Sequence, residues 1–585
     1  MIKKNEEINF KDKKVREKFW HSSAHILAHA IKKLFPDAKN TIGPAVENGF
    51  YYDFDDLHIT PDDFFRIETE MKKIIQADYP FVKKEITMAE AKKLFKDNPY
   101  KIELAKEFKE KGEKLTIYKD GDFYDLCRGP HMPSTGYIKA IKLTKIAGAY
   151  WKGDQKNKQL TRVYGISFPS EKELKDYLKM REEAEKRDHK KIGKKLRIFS
   201  MHEESPGMPF LLENGMIIWN ELLKFWREEH KKEGYQEIKT PIVLKKELWV
   251  KSGHWKNFRE NMYTLNIDEQ EYALKPMNCP GCMLVYKEQV HSYRDFPLKV
   301  GEIGHVYRHE LSGTLSGLFR VRSFHQDDAH IFMTEDQITE EVLSVLKLAE
   351  RIYKTFGLGF HIELSTRPEK SIGTDEMWEK ATQGLVKALE KAGKKYVINE
   401  GDGAFYGPKI DLHVKDCLGR SWQCATIQLD MSLPERFDLT YEGKDGQKHR
   451  PVMIHRVIYG SLERFLGILI EHFAGKFPLW LSPVQVKILT VADRFNKYAE
   501  TIKNKLEEHN IRVQLDTRTE SISKKVRDAQ LEQYNLILII GEKEQKNKTL
   551  AVRSREGKLK FGVKLDTFLK KVKENINKKE FKIEF

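Results

Sequence analysis

The stretch HVYRHELSGTLSGLFRVRSFHQDDAH, residues 305–330, constrains the fold more than any other part of the chain. SGTLSG is turn material and FRVRSF alternates as a half-buried strand does, so the stretch reads as a strand, a Ser/Gly-rich loop and a returning strand. It carries Arg308, Glu310, Arg320, Arg322, Phe324, Gln326 and Asp328. Guanidinium forks clamp phosphate oxygens, a carboxylate accepts from an exocyclic amine, and a ring stacks on a base. Such a hairpin is a platform for a nucleotide. A charged surface hairpin has the same composition, so the rest of the chain must separate the two readings.

A chain of 585 residues is too long for one core and implies three or four domains. Lys+Arg 104 against Asp+Glu 88 gives a net charge of +16, which favours a polyanionic partner. Anionic membranes attract the same charge, but no run approaches the roughly 20 apolar residues that span a bilayer. The opening MIKKNEEINFKDKK has no apolar core and is not a secretory signal. Cysteines 127, 279, 282, 417 and 424 suit a reducing, cytoplasmic setting and individual chemical roles rather than a disulfide framework.

The segment 171–196 is highly charged with sparse leucines and reads as one solvated helix bridging two bodies. A second boundary falls at FPLWLSP, 477–483. Beyond it VQVKILTV, IRVQLD, NLILIIG and TLAVRSR alternate with helical stretches, which predicts an α/β domain with a largely parallel sheet. The region from about 200 to 480 mixes long helices with antiparallel strands as an α+β domain. The expected division is 1–185, a linker helix 186–199, 200–482 and 483–585. Neither GxxxxGK[ST] nor GxGxxG occurs, so a nucleotide site here is neither a P-loop nor a Rossmann site.

NELLKFWREEHKKEGYQEIKTP, 220–241, is an amphipathic helix running into a strand, and HRVIYGSLERFLGILIEHFAGKFP, 455–478, places Arg464 on a helix after Gly460. Each alone is also what an ordinary surface or buried helix would show. Together with the hairpin, and in this order, they resemble motifs 1, 3 and 2 of the class II aminoacyl-tRNA synthetases. YRHELSG and QDDAHIF resemble the threonyl-tRNA synthetase form. The resemblance implies an antiparallel-sheet catalytic core, an α+β editing domain and a C-terminal α/β anticodon-binding domain, in a homodimer built through motif 1. It implies Arg308 and Arg464 as catalytic residues. Arg308, Glu310, Arg320, Phe324, Gln428 and Arg464 would bind ATP with its Mg²⁺, and Gln326, Asp328, Tyr406 and Gln428 would bind L-threonine.

KPMNCPGC places Cys279 and Cys282 two residues apart. Three readings compete: a redox pair, half of a closed zinc site, or one ligand beside a bystander. No βαβ pattern surrounds the pair, which disfavours redox chemistry. The resemblance implies one zinc per chain on Cys279, His330 and His455, with Cys282 a bystander. Three protein ligands leave zinc an open position.

Serine differs from threonine by one methyl, worth roughly 10–200-fold, which is too little for accurate translation. A second, hydrolytic site is therefore expected. WHSSAHILAHA puts His21 and His25 at helical i,i+4 spacing, and YDLCRGPH supplies Cys127 and His131. By ligand type this set suits a tetrahedral zinc site, while scattered structural histidines are the plainer reading. The pattern resembles the editing domain of threonyl-tRNA synthetases and implies hydrolysis of Ser-tRNA with Asp125 and Lys101 as helpers. At the other end, residues 541–585 hold 14 Lys/Arg and 7 Asp/Glu, net +7, consistent with tRNA backbone contact. The resemblance implies anticodon contacts from Glu544 and Arg553, with Thr519 standing where relatives often carry asparagine. It also implies a chain without the small β-grasp domain that begins many bacterial members. A non-catalytic paralogue is the competing reading, but such a protein should have lost Arg308, Glu310 or Arg464.

Overall fold

The computed structural model describes residues 8–10, 12–46, 48–416 and 419–585, so Cys417 lies outside the described residues. The chain divides into two compact units, Met1–Glu182 and Glu183–Phe585.

In the first unit, Asp12 accepts from the backbone N–H of Lys14 at 2.8 Å and starts α1 (Lys13–Leu34). One face of α1 buries Phe19, Ile26, Leu27 and Ile31. Each such burial stabilises by roughly 1.5–3 kcal/mol. β1 (Gly49–Asp55) and α2 (Phe64–Gln76) contribute to the same core. α3 (Pro99–Glu110) precedes a hairpin of β2 (Thr116–Asp120) and β3 (Phe123–Leu126). Of β4 (Ala140–Tyr150) and β5 (Gln159–Phe168), the latter pairs antiparallel with both β1 and β4.

The single helix expected over 171–196 is two: α4 (Glu171–Lys186) and α5 (His189–Lys195). The break is chemical. The Asp188 carboxylate accepts the Lys190 N–H at 2.8 Å and so starts a new helix. Then come α6 (Glu213–Lys232), β6 (Gln236–Glu237), α7 (Cys279–Tyr286), β7 (Leu298–Tyr307) and β8 (Ser323–Met333). They are followed by α8 (Ile338–Phe356), β9 (Gly359–Ser365), α9 (Asp375–Lys391), β10 (Tyr396–Asn399), β11 (Lys409–Lys415), β12 (Ser421–Asp430), β13 (Val452–Val457) and α10 (Leu462–His472). The sheet runs β6-β7-β8-β13-β12-β11-β9-β10. It is parallel only at its two ends, β6/β7 and β9/β10. Ile331, Ile410, Leu412, Ile427, Leu429 and Ile454 share a core with α8 and α10, so alternation frees the opposite face for polar residues.

The returning strand starts at Ser323, so FRVR belongs to the loop rather than to a strand as the alternation predicts. The Arg322 N–H donates to Gly207 O at 2.6 Å instead of returning to β7, which ends the ladder there.

The chain closes with β14 (Val486–Thr490), α11 (Asn496–Glu507), β15 (Val513–Asp516), α12 (Ile522–Leu531), β16 (Leu536–Ile540), β17 (Thr549–Ser554), β18 (Leu559–Lys564) and α13 (Leu565–Lys578). β15, β14 and β16 are parallel, but β17 and β18 join antiparallel, so the sheet is mixed rather than largely parallel. The connections 541–548 and 555–558 are too short for parallel crossovers, which need a dozen or more residues.

Candidate active site

Strand register assembles the core site. Val300 faces His330, His330 faces His455, and His455 faces Gln428, so one row crosses β7, β8, β13 and β12. The N-terminus of α7 brings Cys279 over this row. Its neighbour Asn278 donates to Asp328 at 3.1 Å. Glycine is required beneath: a Cβ on Gly304 would meet the Asn278 amide at 2.1 Å. The donor atoms of Cys279, His330 and His455 lie within 4.8 Å of one another, and all three residues are buried.

Two features test whether this set fits a metal. His455 Nε2 lies 2.8 Å from the Asp430 carboxylate, which fixes the ring's tautomer and leaves Nδ1 as the donor. His330 Nε2 is buried with no hydrogen-bond partner among the described residues, an arrangement that costs free energy until a ligand takes it. Sulfur and two imidazoles with a carboxylate behind one of them suit zinc. Burial, aided by Asp328 and Asp430, pushes the Cys279 thiol well above its usual range, so a metal must displace its proton. Cys282 stands outside the set and packs with Met283, Phe296 and Leu433.

The same face opens into a cavity of about 570 Å³. Arg308, Glu310, Arg320, Phe324, Gln326, Asp328, Tyr406, Gln428 and Arg464 all line it, together with Cys279 and His455. Arg308 Nε donates to Pro276 O at 3.1 Å, and its guanidinium lies 5.1 Å from the Phe324 ring centre. Arg464 Nε donates to Phe319 O at 3.0 Å, while Ser461 caps its helix at 3.2 Å. Burial lowers the pKa of both guanidinium groups, and the Glu310 carboxylate only partly offsets it. Desolvated cations short of anionic partners fit a polyphosphate. Tyr406 hydroxyl donates to Gln428. Burial pushes the Asp328 carboxyl up to about 6.

Three residues of this site escape the sequence reading. Asp430 shares a face with Gln428 two residues earlier, a period-two signal that was there to use. Asp327 accepts the N–H groups of Ile458, Tyr459 and Gly460 at 2.9–3.2 Å and so fixes the bend before α10. His254 is fully buried with Nε2 4.0 Å from Cys279 Sγ, and no motif announces it.

In the first unit His21 and Cys127 line a second cavity of about 700 Å³, together with His25, Lys101 and Asp125. Cys127 Sγ lies 3.3 Å from His21 Nε2 and 3.2 Å from His131 Nε2. The other ring nitrogens are anchored, His21 Nδ1 on Pro130 O and His131 Nδ1 on Ser22 Oγ, both at 3.3 Å. His25 does not join this set as the i,i+4 spacing predicts. Its Nε2 lies 3.0 Å from Asp120, which also holds His29 Nδ1 at 2.8 Å. The expected four-ligand set is therefore three donors with His25 packed beside them. Burial first, then the Asp125 charge, pushes the Cys127 thiol up to about 12. Lys101 Nζ sits 2.6 Å from Asp125, and Tyr52 and Asn40 donate to the same carboxylate.

Glu544 accepts the Gly541 N–H at 3.0 Å and caps its own short helix, while Arg553 lies on β17 and Thr519 is exposed.

A sheet of this order, with a cationic cavity on its open face, is the core of a class II aminoacyl-tRNA synthetase. Residues 263–473 match the tRNA synthetase class II core domain (G, H, P, S and T), and residues 485–575 match the anticodon binding domain. Residues 115–164 match the threonyl and alanyl tRNA synthetase second additional domain. The threonine–tRNA ligase of Desulfatibacillum aliphaticivorans is 62% identical over 97% of this chain and 88% of its own length. That of Clostridioides difficile is 57% identical over 98% of this chain and 90% of its own. A crystal structure described as the RNA binding domain of threonyl-tRNA synthetase from Cryptosporidium parvum aligns with TM-score 0.63 at 41% identity. It covers 66% of this chain and 98% of that one. The chain belongs to the threonine–tRNA ligase family.

Proposed function

We propose that this chain activates L-threonine with ATP to threonyl-adenylate, transfers it to tRNA(Thr), and hydrolyses Ser-tRNA(Thr) in its first unit. The observation that carries the reading is the cavity lined by Arg308 and Arg464 together with Cys279 and His455, whose donor atoms lie within 4.8 Å of His330. Arg308 holds the α-phosphate and stabilises charge as the carboxylate attacks, and Arg320 binds the outer phosphates that travel with Mg²⁺. Positioned cations suit a phosphoryl centre, where little covalent work falls to the protein. Glu310 reads the adenine amine, and Phe324 with Arg464 encloses the ring.

Cys279, His330 and His455 would hold one zinc, which when bound would supply a Lewis acid for the amino and hydroxyl groups of threonine and so discriminate against valine. Asp328 accepts from that hydroxyl, and Gln326, Tyr406 and Gln428 orient the amino acid. Serine passes this test, and packing against one methyl separates it by roughly 10–200-fold at most. The first-unit cavity removes the remainder. There His21, Cys127 and His131 engage the misplaced aminoacyl end, His25 supports them, and Lys101 with Asp125 positions the attacking water. Glu544 and Arg553 contact the anticodon. The division 1–185, 186–199, 200–482 and 483–585 follows these tasks. The working protein is a cytoplasmic homodimer joined through the motif 1 segment. Among the described residues no helix is long and apolar enough to cross a membrane. Amino-acid-dependent pyrophosphate exchange with threonine, serine and valine tests the core reading: exchange with valine equal to that with threonine overturns it.

A further inference from the structure

We propose that His189 is a positioning residue that clamps the loop between β7 and β8 to α10 and thereby sets the ATP half of the cavity. The proposal rests on the ATP reading above. His189 lies on α5 and is 1% exposed. Its Nδ1 sits 2.7 Å from Glu471 Oε1 on α10, and the same oxygen accepts the His189 backbone N–H at 3.1 Å. A carboxylate only accepts, so Nδ1 carries the proton and Nε2 is left as an acceptor. That nitrogen receives the Leu318 N–H from the loop at 3.1 Å. One imidazole thus joins the last turn of α10 to the loop. Asp188, His189 and Glu471 lie close enough to hold a cation, but both ring nitrogens are already engaged.

What the clamp fixes is next to Leu318. The Phe319 ring centre lies 4.1 Å from that of His189 and 4.2 Å from that of Trp422. The Phe319 carbonyl receives Arg464 Nε at 3.0 Å, and Phe319, Arg320 and Arg464 all line the nucleotide side of the cavity. The loop forms its own turn, in which the Ser316 N–H donates to Arg320 O at 3.1 Å and the Phe319 N–H to Ser316 O at 2.8 Å, and His189 ties that turn to α10. Gly317 shows how close the clamp closes. Its φ is +48°, and a Cβ there would stand 2.3 Å from His189 Nε2. Leu318 is fully buried, so the donor left behind if the imidazole were lost bears its whole desolvation cost.

The test uses the full chain with His189→Phe, His189→Gln and Gly317→Ala. His189→Phe keeps a ring against Phe319 but loses both hydrogen bonds. In pyrophosphate exchange its ATP KM should rise about tenfold or more, while threonine KM and metal content stay within about twofold. His189→Gln can donate to Glu471 and accept from Leu318, and should recover most of that loss. Gly317→Ala should raise ATP KM with His189 intact, and carries the test if His189→Phe does not fold. Hydrogen exchange should show lost amide protection at residues 316–320 in His189→Phe without ATP. An unchanged ATP KM overturns the proposal, as does a loss shared equally by threonine and not restored by glutamine. Should the parent show no threonine-dependent exchange, the functional reading fails, and amide protection alone decides the clamp: retained protection overturns it.

Discussion

The two Cys/His clusters use the same donor types and differ in what the donors already do. In the first unit His21 and His131 both aim Nε2 at Cys127 Sγ, and their Nδ1 atoms rest on oxygens. The Cys127 thiol has one proton to offer two imidazole nitrogens, and it stands at the wall of an open cavity. In the core, His330 Nε2 has no hydrogen-bond partner among the described residues, and Cys279 is buried at the wall of the other cavity. A donor set whose members touch one another meets part of its hydrogen-bonding need by itself. One that leaves a buried nitrogen unpaired calls for a ligand from outside the chain. The difference supports the zinc proposed for the core, while the first-unit donors, which also lie within 4.8 Å of one another, already meet at Cys127.

The sharpest way to break this comparison is Cys279→Ser. It should empty the core of metal and reduce threonine-dependent exchange to background, whereas Cys282→Ser should keep both near the parent level. Metal analysis of the two variants decides it, and equal losses would close the open-site picture. Arg308→Ala and Arg464→Ala come next. Each should cut adenylate formation by about 10²–10³-fold with metal content and tRNA binding nearly unchanged. Near-normal exchange in either variant removes the assignment of these cations to ATP.

Asp430→Asn probes the support behind His455 and should weaken metal affinity by about 10–100-fold, read by competition with a chelator. The same affinity should rise with pH, because binding must displace the proton that burial holds on Cys279. Flat affinity in Asp430→Asn would mean that His455 needs no anchor. The smallest effect on activation belongs to the first unit. Cys127→Ala and His25→Ala should leave threonine charging within about twofold while Ser-tRNA(Thr) accumulates, with selectivity falling to the roughly 10–200-fold that packing supplies. A Cys127→Ala protein that clears Ser-tRNA at the parent rate would move editing away from this cluster.

Much of this was readable before the fold. The antiparallel hairpin is legible from the turn residues SGTLSG, though its returning strand begins only at Ser323, and the donors Cys279, His330 and His455 stand in distinct motifs. The errors were local competitions that composition does not reveal. Asp188 chose to cap a helix and cut 171–196 in two. Arg322 gave its N–H to Gly207 and shortened a strand. His25 lies beside the cluster, its ring 5.0 Å from that of His131, but the group within 4.8 Å is His21, Cys127 and His131.

The chemistries present are written in the chain: cations in the hairpin, metal-type donors in three segments, a second Cys/His group and a basic C-terminal domain. These follow from side-chain type and short-range periodicity, which any local segment expresses. Only the tertiary structure decided which donors meet and which remain unsatisfied. Register across three strands set His455 between His330 and Gln428, and burial left His330 Nε2 without a partner among the described residues. Convergence and desolvation belong to contacts between distant segments, and no window of sequence contains them.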